Sequence, residues 1–439
     1  MNRSVQVPAF PPSPSSIRYL SFGTASYILL PPSKGESPLP KRHLTLRDLL
    51  TQQARRYEKK TFLDFAGREY SYAMVDDRTD RVATALGRVG LRHGDRIALL
   101  LSNSPEFVFF FLGAPKIGLV PVPIDPTSFA DEIVFAVQHS GATAVITESR
   151  FAELKGRLAE VRRWIAVDDD SFSEPPFENL ERGSVLGFWP DLDPDAAAVI
   201  SYTRGTTGDP KPVVLTHANL TSNCHQTIQP FRIDETDRFL CALPLSSVAA
   251  ETLLVLLPWM TGGTCVLRDS YSPNVLREIE ESRATVLAGT PAFYEMIAGS
   301  ATFARSHLPT LRLAICHSGP VGRKLLRQFE ERHDVIIVEG YGLVEGTCLT
   351  CANPYTGVHK PGSLGLPLPG QECRIFDEQD NALPPGRAGE IVVRGPNVMK
   401  EYYREPQATA RALRGGWLHT GDSGYADPDG YYYLQPSRI

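Results

Sequence analysis

Between Ser201 and Leu220 the chain reads SYTRGTTGDPKPVVLTHANL. Gly205 and Gly208 permit a tight backbone path on which successive N–H groups can converge on an anion. Thr203, Thr206 and Thr207 add hydroxyl donors, Arg204 a guanidinium and Lys211 an ammonium charge. An apolar run from Ala196 to Ile200 precedes the loop and a second strand begins at Val213, which makes the segment a phosphate cradle between two strands. It is not the common nucleotide P-loop, because the G-x-x-x-x-G-K-[ST] spacing is absent. Standing alone, the same residues also fit a Gly/Thr-rich hairpin with no ligand.

Other segments carry chemistry of the same kind. EGYGLVEGT, residues 339 to 347, follows the strand-like run VIIV, and open α/β sheets bind ligands at such strand ends. Within it Glu345 is the oxygen anion a hard cation such as Mg²⁺ wants; a solvent-facing turn acid is the other reading. Ser318-Gly319-Pro320 follows the strand-like LRLAICH, and WLHTGD ends at Asp422, which fits a ligand-binding carboxylate or a turn former. Glu251 is a lone acid in the apolar run that follows Ser246. It reads as a first-turn helix acid stabilised by the dipole, with a substrate contact as the alternative. Cys348 and Cys351 form one C-x-x-C without a second pair at zinc-ribbon spacing, and read as packing residues.

These segments together resemble the adenylate-forming enzymes: acyl-CoA synthetases, luciferases and peptide-synthetase adenylation domains. Their signature loop has a form close to Y-[ST]-[SG]-G-T-T-G-x-P-K-G-V. The resemblance implies catalytic roles for Thr206, Lys211 and Glu345, with Glu345 holding Mg²⁺. It implies nucleotide contacts from Thr203, Arg204, Gly205, Thr207, Gly208, Ser318, Gly319, Pro320, Glu339, Gly340, Tyr341, Asp422 and Arg438. Tyr341 would lie against the adenine, the Ser318 loop along its edge, Asp422 would accept from both ribose hydroxyls, and Arg438 would be the hinge arginine at the ribose. Ser246, Ser247, Val248 and Ala250, with Gly342, Val344 and Gly346, would line the acyl pocket. Many relatives carry an aromatic–His pair near Ser246 and Ser247; two small residues here imply a roomier pocket for a bulky, largely apolar acid.

The family reaction joins a carboxylic acid to a thiol in two steps. Carboxylate and ATP give acyl-AMP and pyrophosphate, and the thiol of coenzyme A then displaces AMP. Three positions depart from the pattern: Arg204 where a small residue is usual, Pro212 in place of the glycine after the lysine, and Val344 in place of the phosphate-binding threonine. On the resemblance, Arg204 and Pro212 fall in the cradle that would hold pyrophosphate and Val344 deletes a hydroxyl donor to the α-phosphate, while Asp422, Arg438, Tyr341 and the Ser318 loop, which would serve the adenylate, match. The expectation is an acyl-CoA ligase with adenylation impaired or lost, served by a second ligase that supplies the acyl-adenylate. An ordinary two-step ligase, a carrier-protein-loading enzyme and an inactive nucleotide-binding protein are the alternatives.

The elements that must position these residues follow from periodicity. Residues 1–43 are Pro/Ser-rich and read as an extended lead-in. Leu46, Leu49, Leu50, Ala54 and Tyr57 recur at helical spacing, with Thr45 placed as N-cap. Helices and apolar strands then alternate, as a helix-covered parallel sheet requires. The expected class is α/β: subdomains at 44–190 and 191–350 with two αβ-layered, mostly parallel sheets, and a small β-barrel-like unit at 351–436. Residues 437–439 match the start of the family's hinge to a smaller C-terminal domain. With 439 residues, 42% hydrophobic and 22% charged, and a net charge of −5, the chain is an ordinary globular protein with no electrostatic bias toward nucleic acid. Seven cysteines are too sparse for a disulfide scaffold, and neither a membrane span nor a secretion signal is legible, so the expected compartment is the cytoplasm.

Overall fold

The computed structural model describes residues 18–22, 25–29, 44–169, 171, 185, 189–203, 210–300, 302–303, 305–306, 308–319 and 321–435. Arg204, Gly205, Thr206, Thr207, Gly208, Pro320 and Arg438 therefore lie outside the described residues. Within the lead-in, Arg18–Phe22 and Ala25–Leu29 pair as an antiparallel hairpin.

Helix starts follow side-chain capping. The Thr45 Oγ1 accepts from the Asp48 N–H at 3.2 Å and the Asp48 carboxylate accepts from the Thr45 N–H, so the helix Leu46–Tyr57 begins with both orphan donors satisfied. Ser71 caps Tyr72–Arg88 in the same way, and Ser104 caps Pro105–Gly113, where Pro105 sits in the first turn that has no use for its missing N–H. All of Pro105–Gly113 except Glu106 is buried, as a helix without a polar face must be.

Four strands, Val120–Pro123, Arg96–Leu100, Ala144–Thr147 and Arg163–Ala166, form a wholly parallel sheet in that spatial order. A second sheet has six parallel strands at its centre: Thr61–Phe65, Thr264–Leu267, Arg238–Cys241, Val286–Gly289, Leu313–Cys316 and Ile336–Tyr341. Arg68–Ser71 closes one edge antiparallel, and Cys351–Ala352 and Leu366–Pro367 close the other. Glu372–Phe376, Gly389–Arg394, Leu418–Ala426 and Tyr432–Leu434 make an antiparallel half-barrel.

Sheet membership does not follow chain order at two places. The hairpin Thr61–Ser71 lies within 44–190 yet joins the second sheet, pairing Leu63 with Cys265. Phe62, Tyr72 and Trp259 pack there as a fully buried aromatic cluster that holds the hairpin on the second sheet. The strands Ala197–Tyr202 and Pro212–Thr216, which flank the phosphate loop, stand in a separate three-stranded sheet. Its third strand, Glu401–Tyr402, comes from the region expected to be barrel only. The apolar run after Ser246 was expected as an ordinary helix; it is π-helical over Ala250–Leu256 and α-helical over Leu257–Thr261.

Candidate active site

Parallel register places the candidate loops at one end of the second sheet. Gly289 pairs with Cys316 and Cys316 with Glu339, so the chain leaves the strands at residues 290, 317 and 342 side by side. Gly342 is required there: a Cβ on it would stand 1.5 Å from the Cys348 carbonyl oxygen, so only glycine lets residues 342 to 348 fold back on themselves.

The structure brings Tyr341 and Asp422 together. The Tyr341 hydroxyl donates to Asp422 Oδ2 at 2.6 Å, and the Asp422 N–H donates to Thr420 Oγ1 at 3.1 Å. Tyr341 is 7% exposed, and burial together with the neighbouring Asp422 carboxylate pushes its phenol far above its usual range, so it stays a donor. Among the described residues nothing holds Asp422 Oδ1, which leaves a half-buried carboxylate oxygen for a ligand hydroxyl. Ser318 is exposed at φ +69° and shares a hydrogen bond with His317 Nδ1 at 2.8 Å, while Gly319 is half-buried beside it.

Glu339 is placed differently from an open ligand contact. Its two oxygens accept from the Val321 N–H at 2.9 Å and the Gly362 N–H at 3.0 Å, and it is 1% exposed. Its chemistry in this arrangement is to staple Val321 and the turn at Gly362 to the strand end. Gly340 pairs with Ala352 across the sheet.

Glu345 lies in a short 3-10 turn, Val344–Gly346, half-buried, and accepts from the Tyr402 hydroxyl at 2.7 Å through Oε1. Lys211 Nζ lies 5.2 Å from the centre of the Tyr402 ring, so one tyrosine touches both the signature lysine and the glutamate. Thr203 and Lys211 close the phosphate hairpin: the Thr203 N–H donates to the Lys211 carbonyl at 3.0 Å and the Lys211 N–H to Thr203 Oγ1 at 3.1 Å. Pro212 stands at the head of the strand Pro212–Thr216, directly after Lys211. It is buried as the first strand residue, opposite Tyr202, with its carbonyl bound to the Tyr403 N–H at 2.8 Å, a position where a proline is tolerated.

Among the described residues no three His, Cys, Asp or Glu side chains converge on a common point. Glu345, whose Oε2 has no partner among the described residues, nonetheless suits Mg²⁺, which takes one or two carboxylates and completes its octahedron with water and substrate phosphates. Bound there with a nucleotide, the ion would neutralise phosphate charge. Cys348 and Cys351 share no ligand: Cys351 Sγ is 3.4 Å from Cys373 Sγ, and all seven cysteines are buried free thiols.

Several residues that shape the site had no local sequence signal. Thr347 has φ +72° and ψ −51°, and the Cys348 N–H donates to the Gly346 carbonyl at 2.9 Å. This is a γ-turn at a β-branched residue, a conformation that costs on the order of 1–3 kcal/mol. Around it, Thr347 Oγ1 donates to the Asn397 carbonyl, Asn397 Nδ2 to the Gly346 carbonyl and Gln371 Oε1, and Gln371 Nε2 to Gln226 Oε1. Asn223 pairs with Leu349 like a strand neighbour, giving Nδ2 to its carbonyl at 2.7 Å and taking its N–H at 3.2 Å. These buried amides tie the helix His217–Phe231 to the Glu345 turn; Asn223 and Leu349 are 126 residues apart, beyond the reach of any motif.

Ser246, Ser247 and Val248 are half-buried, and Ala250 is buried at the head of the π-helix. Ser247 Oγ donates to the Pro244 carbonyl at 2.8 Å, fixing this turn. Gly342 and Val344 are half-buried and Gly346 is buried. Glu251 stands in the first turn of the π-helix, as its place after Ser246 suggested; it is 0% exposed, and among the described residues neither carboxylate oxygen has a hydrogen-bond partner.

A profile of the AMP-binding enzyme family matches residues 50–403. The feruloyl-CoA synthase of Amycolatopsis sp is 33% identical over 390 residues, covering 87% of this chain and 76% of the relative. The crotonobetaine/carnitine–CoA ligase of Salmonella paratyphi A is 31% identical over 415 residues, covering 90% and 80%. The crystal structure of the N-terminal domain of FACL13 from Mycobacterium tuberculosis superposes with a TM-score of 0.82 at 27% identity, covering 89% of this chain and 100% of that one. With its strand-end loops, its Tyr341–Asp422 pair and these relatives, the chain belongs to the AMP-binding enzyme family, as an acyl-CoA ligase of the adenylate-forming kind.

Proposed function

We propose that this ligase binds a bulky, largely apolar carboxylic acid as its acyl-adenylate and transfers the acyl group to the thiol of coenzyme A, with ATP-dependent adenylation impaired. The Tyr341–Asp422 hydrogen bond carries the reading, because it leaves a ribose-binding carboxylate oriented at the adenylate end. At the phosphate end Val344 offers no hydroxyl donor, and Arg204 adds bulk to the signature loop. Pro212 takes away the backbone N–H that a glycine after Lys211 would offer. A lost hydrogen bond to a charged group is worth about 1.5–3 kcal/mol, and each 1.4 kcal/mol of barrier is tenfold in rate.

In the reaction the thiol sulfur attacks the acyl carbon, the carbon–oxygen bond to AMP breaks, and AMP leaves with its phosphate while the thiol proton is released. Asp422 and Tyr341 hold the nucleoside and Glu345 holds Mg²⁺ when ATP is bound. A second ligase that releases acyl-adenylate is the partner this requires. The seven buried free thiols, with Cys351 and Cys373 in contact but unbonded, suit the reducing cytoplasm.

The test compares acid-dependent ATP–pyrophosphate exchange with thioesterification of synthetic acyl-AMP, in wild type, Arg204→Gly and Val344→Thr. Thioesterification with exchange at least ~100-fold weaker in wild type, recovered in either variant, is expected. Robust wild-type exchange would leave an ordinary two-step ligase.

A further inference from the structure

The carboxyl group of the π-helix acid makes no hydrogen bond among the described residues. Glu251 is wholly enclosed, and among the described residues both of its oxygens and the neighbouring Thr252 Oγ1 lack a partner, so three buried oxygens in one turn stand unpaired. Buried polar groups are nearly always hydrogen-bonded, and an isolated one is costly unless a partner arrives. The helix is locally π-wound, with the Leu257 N–H donating to the Thr252 carbonyl, and such widened turns re-aim side chains and frequently mark functional sites.

Its surroundings say where a partner would come from. The Glu251 N–H donates to the Ser247 carbonyl at 3.0 Å, so Glu251 lies one turn deeper on the face that begins at the half-buried Ser246–Val248 turn. On its other side is the Cys348 thiol, which burial and the Glu251 carboxyl together push up. Cys348 lies three residues past Glu345, and its carbonyl backs onto Gly342. Glu251 thus stands between the turn at Ser246 and the loop that carries Glu345. No cationic side chain is among its hydrogen-bond or ion-pair partners, and burial alone holds its carboxyl in the neutral form, pushed up to about 8. A neutral carboxyl both donates and accepts.

We propose that Glu251 determines substrate specificity, its carboxyl group hydrogen-bonding a neutral polar substituent, a hydroxyl or an arylamine, on the tail of the acid. This rests on the reading of residues 246–250 as the acyl pocket, and it changes the substrate class from a wholly apolar acid to one carrying a single polar group at depth. An apolar tail alone would leave the acid unpaired, and a site with a buried hydrogen-bonding group discriminates strongly against ligands that lack the complement.

The experiment uses non-hydrolysable acyl-adenylate analogues (acyl sulfamoyl adenosines) with aryl and medium-chain tails, each made with and without a hydroxyl or amino group. Calorimetric titration of wild type should show at least one pair in which the substituted member binds roughly tenfold or more tightly. In Glu251→Leu the ratio within that pair should fall to about one, and the isosteric Glu251→Gln should keep part of it; thermal unfolding of both variants checks that they fold. Equal binding within every wild-type pair, or a preference that survives in Glu251→Leu, overturns the role of Glu251 but leaves the ligase reading standing, since the analogues are still bound. Failure of folded wild type to bind any analogue overturns both.

Discussion

The Tyr402 hydroxyl lies 2.7 Å from Glu345 Oε1, and the Tyr402 ring lies under the Lys211 ammonium at 5.2 Å, although 57 residues separate the tyrosine from the glutamate. Tyr402 is held in a strand whose residues pair with Val213 and Val214, so the same backbone that carries Lys211 also presents the donor to Glu345. Burial first and the Glu345 carboxylate second raise the phenol well above its usual range and keep it protonated.

Tyr402→Phe keeps the ring beneath Lys211 and removes only the donor, so Glu345 loses its orientation toward a metal ion. Binding of Mg·ATP should weaken about 10- to 100-fold, the worth of one charge-assisted hydrogen bond, with metal-free ATP unaffected. Tyr402→Leu should weaken both. Parallel calorimetric titrations separate the two, and equal losses with and without Mg²⁺ in Tyr402→Phe would show that the tyrosine only supports the fold.

Asp422→Ala removes the carboxylate oxygens assigned to the ribose, and should weaken AMP binding by about 3 kcal/mol, roughly 100-fold. Tyr341→Phe removes the 2.6 Å bond that orients Asp422 while keeping the ring, and should cost less, about 1 kcal/mol. An unchanged dissociation constant in Asp422→Ala would place the ribose elsewhere.

Asn223→Ala leaves the Leu349 N–H without its acceptor inside the core, while the Leu349 carbonyl keeps the bond from Gln371 Nε2 at 2.9 Å. Urea denaturation should show a loss of about 1–3 kcal/mol, because an unpaired buried N–H costs more than the bond it made. A loss below about 0.5 kcal/mol would mean that the network linking the helix to the Glu345 turn carries little energy.

The Glu251 carboxyl is pushed up to about 8 by burial, from a usual value of 4.5. Between those values the folded state binds a proton that the unfolded state has released, so stability falls as pH rises through that window and is fully present below it. At about 1.4 kcal/mol per pKa unit the slope amounts to several kcal/mol. Glu251→Gln removes it, so the variant should gain on wild type steadily from pH 5 to pH 8. His217 and His317, both lowered to about 4 by burial, lose their stabilising contribution as pH falls from 6.5 toward 4, in wild type and variant alike. Their effect cancels in the difference, and a difference that does not change with pH would refute the buried, neutral acid.

Local chemistry in the sequence determined much about this protein. The Thr45 capping box, the proline at the head of Pro105–Gly113 and the apolar parallel strands are legible because each depends on residues within a turn or on one run of side chains. The Gly/Thr loop, EGYGLVEGT and WLHTGD are legible for the same reason: they are contiguous pieces whose residue types state their chemistry. Tertiary structure alone decided which pieces meet. The Thr61–Ser71 hairpin crosses to the second sheet, Glu401–Tyr402 leaves the half-barrel for the phosphate-loop strands, and the Glu339 carboxylate is taken by two backbone amides. The π-winding that seals Glu251 inside, and the strain at Thr347, arise from packing between segments far apart in the chain. No periodicity encodes such pairings, because their energy lies in burial and hydrogen bonds that exist only once the sheets are assembled.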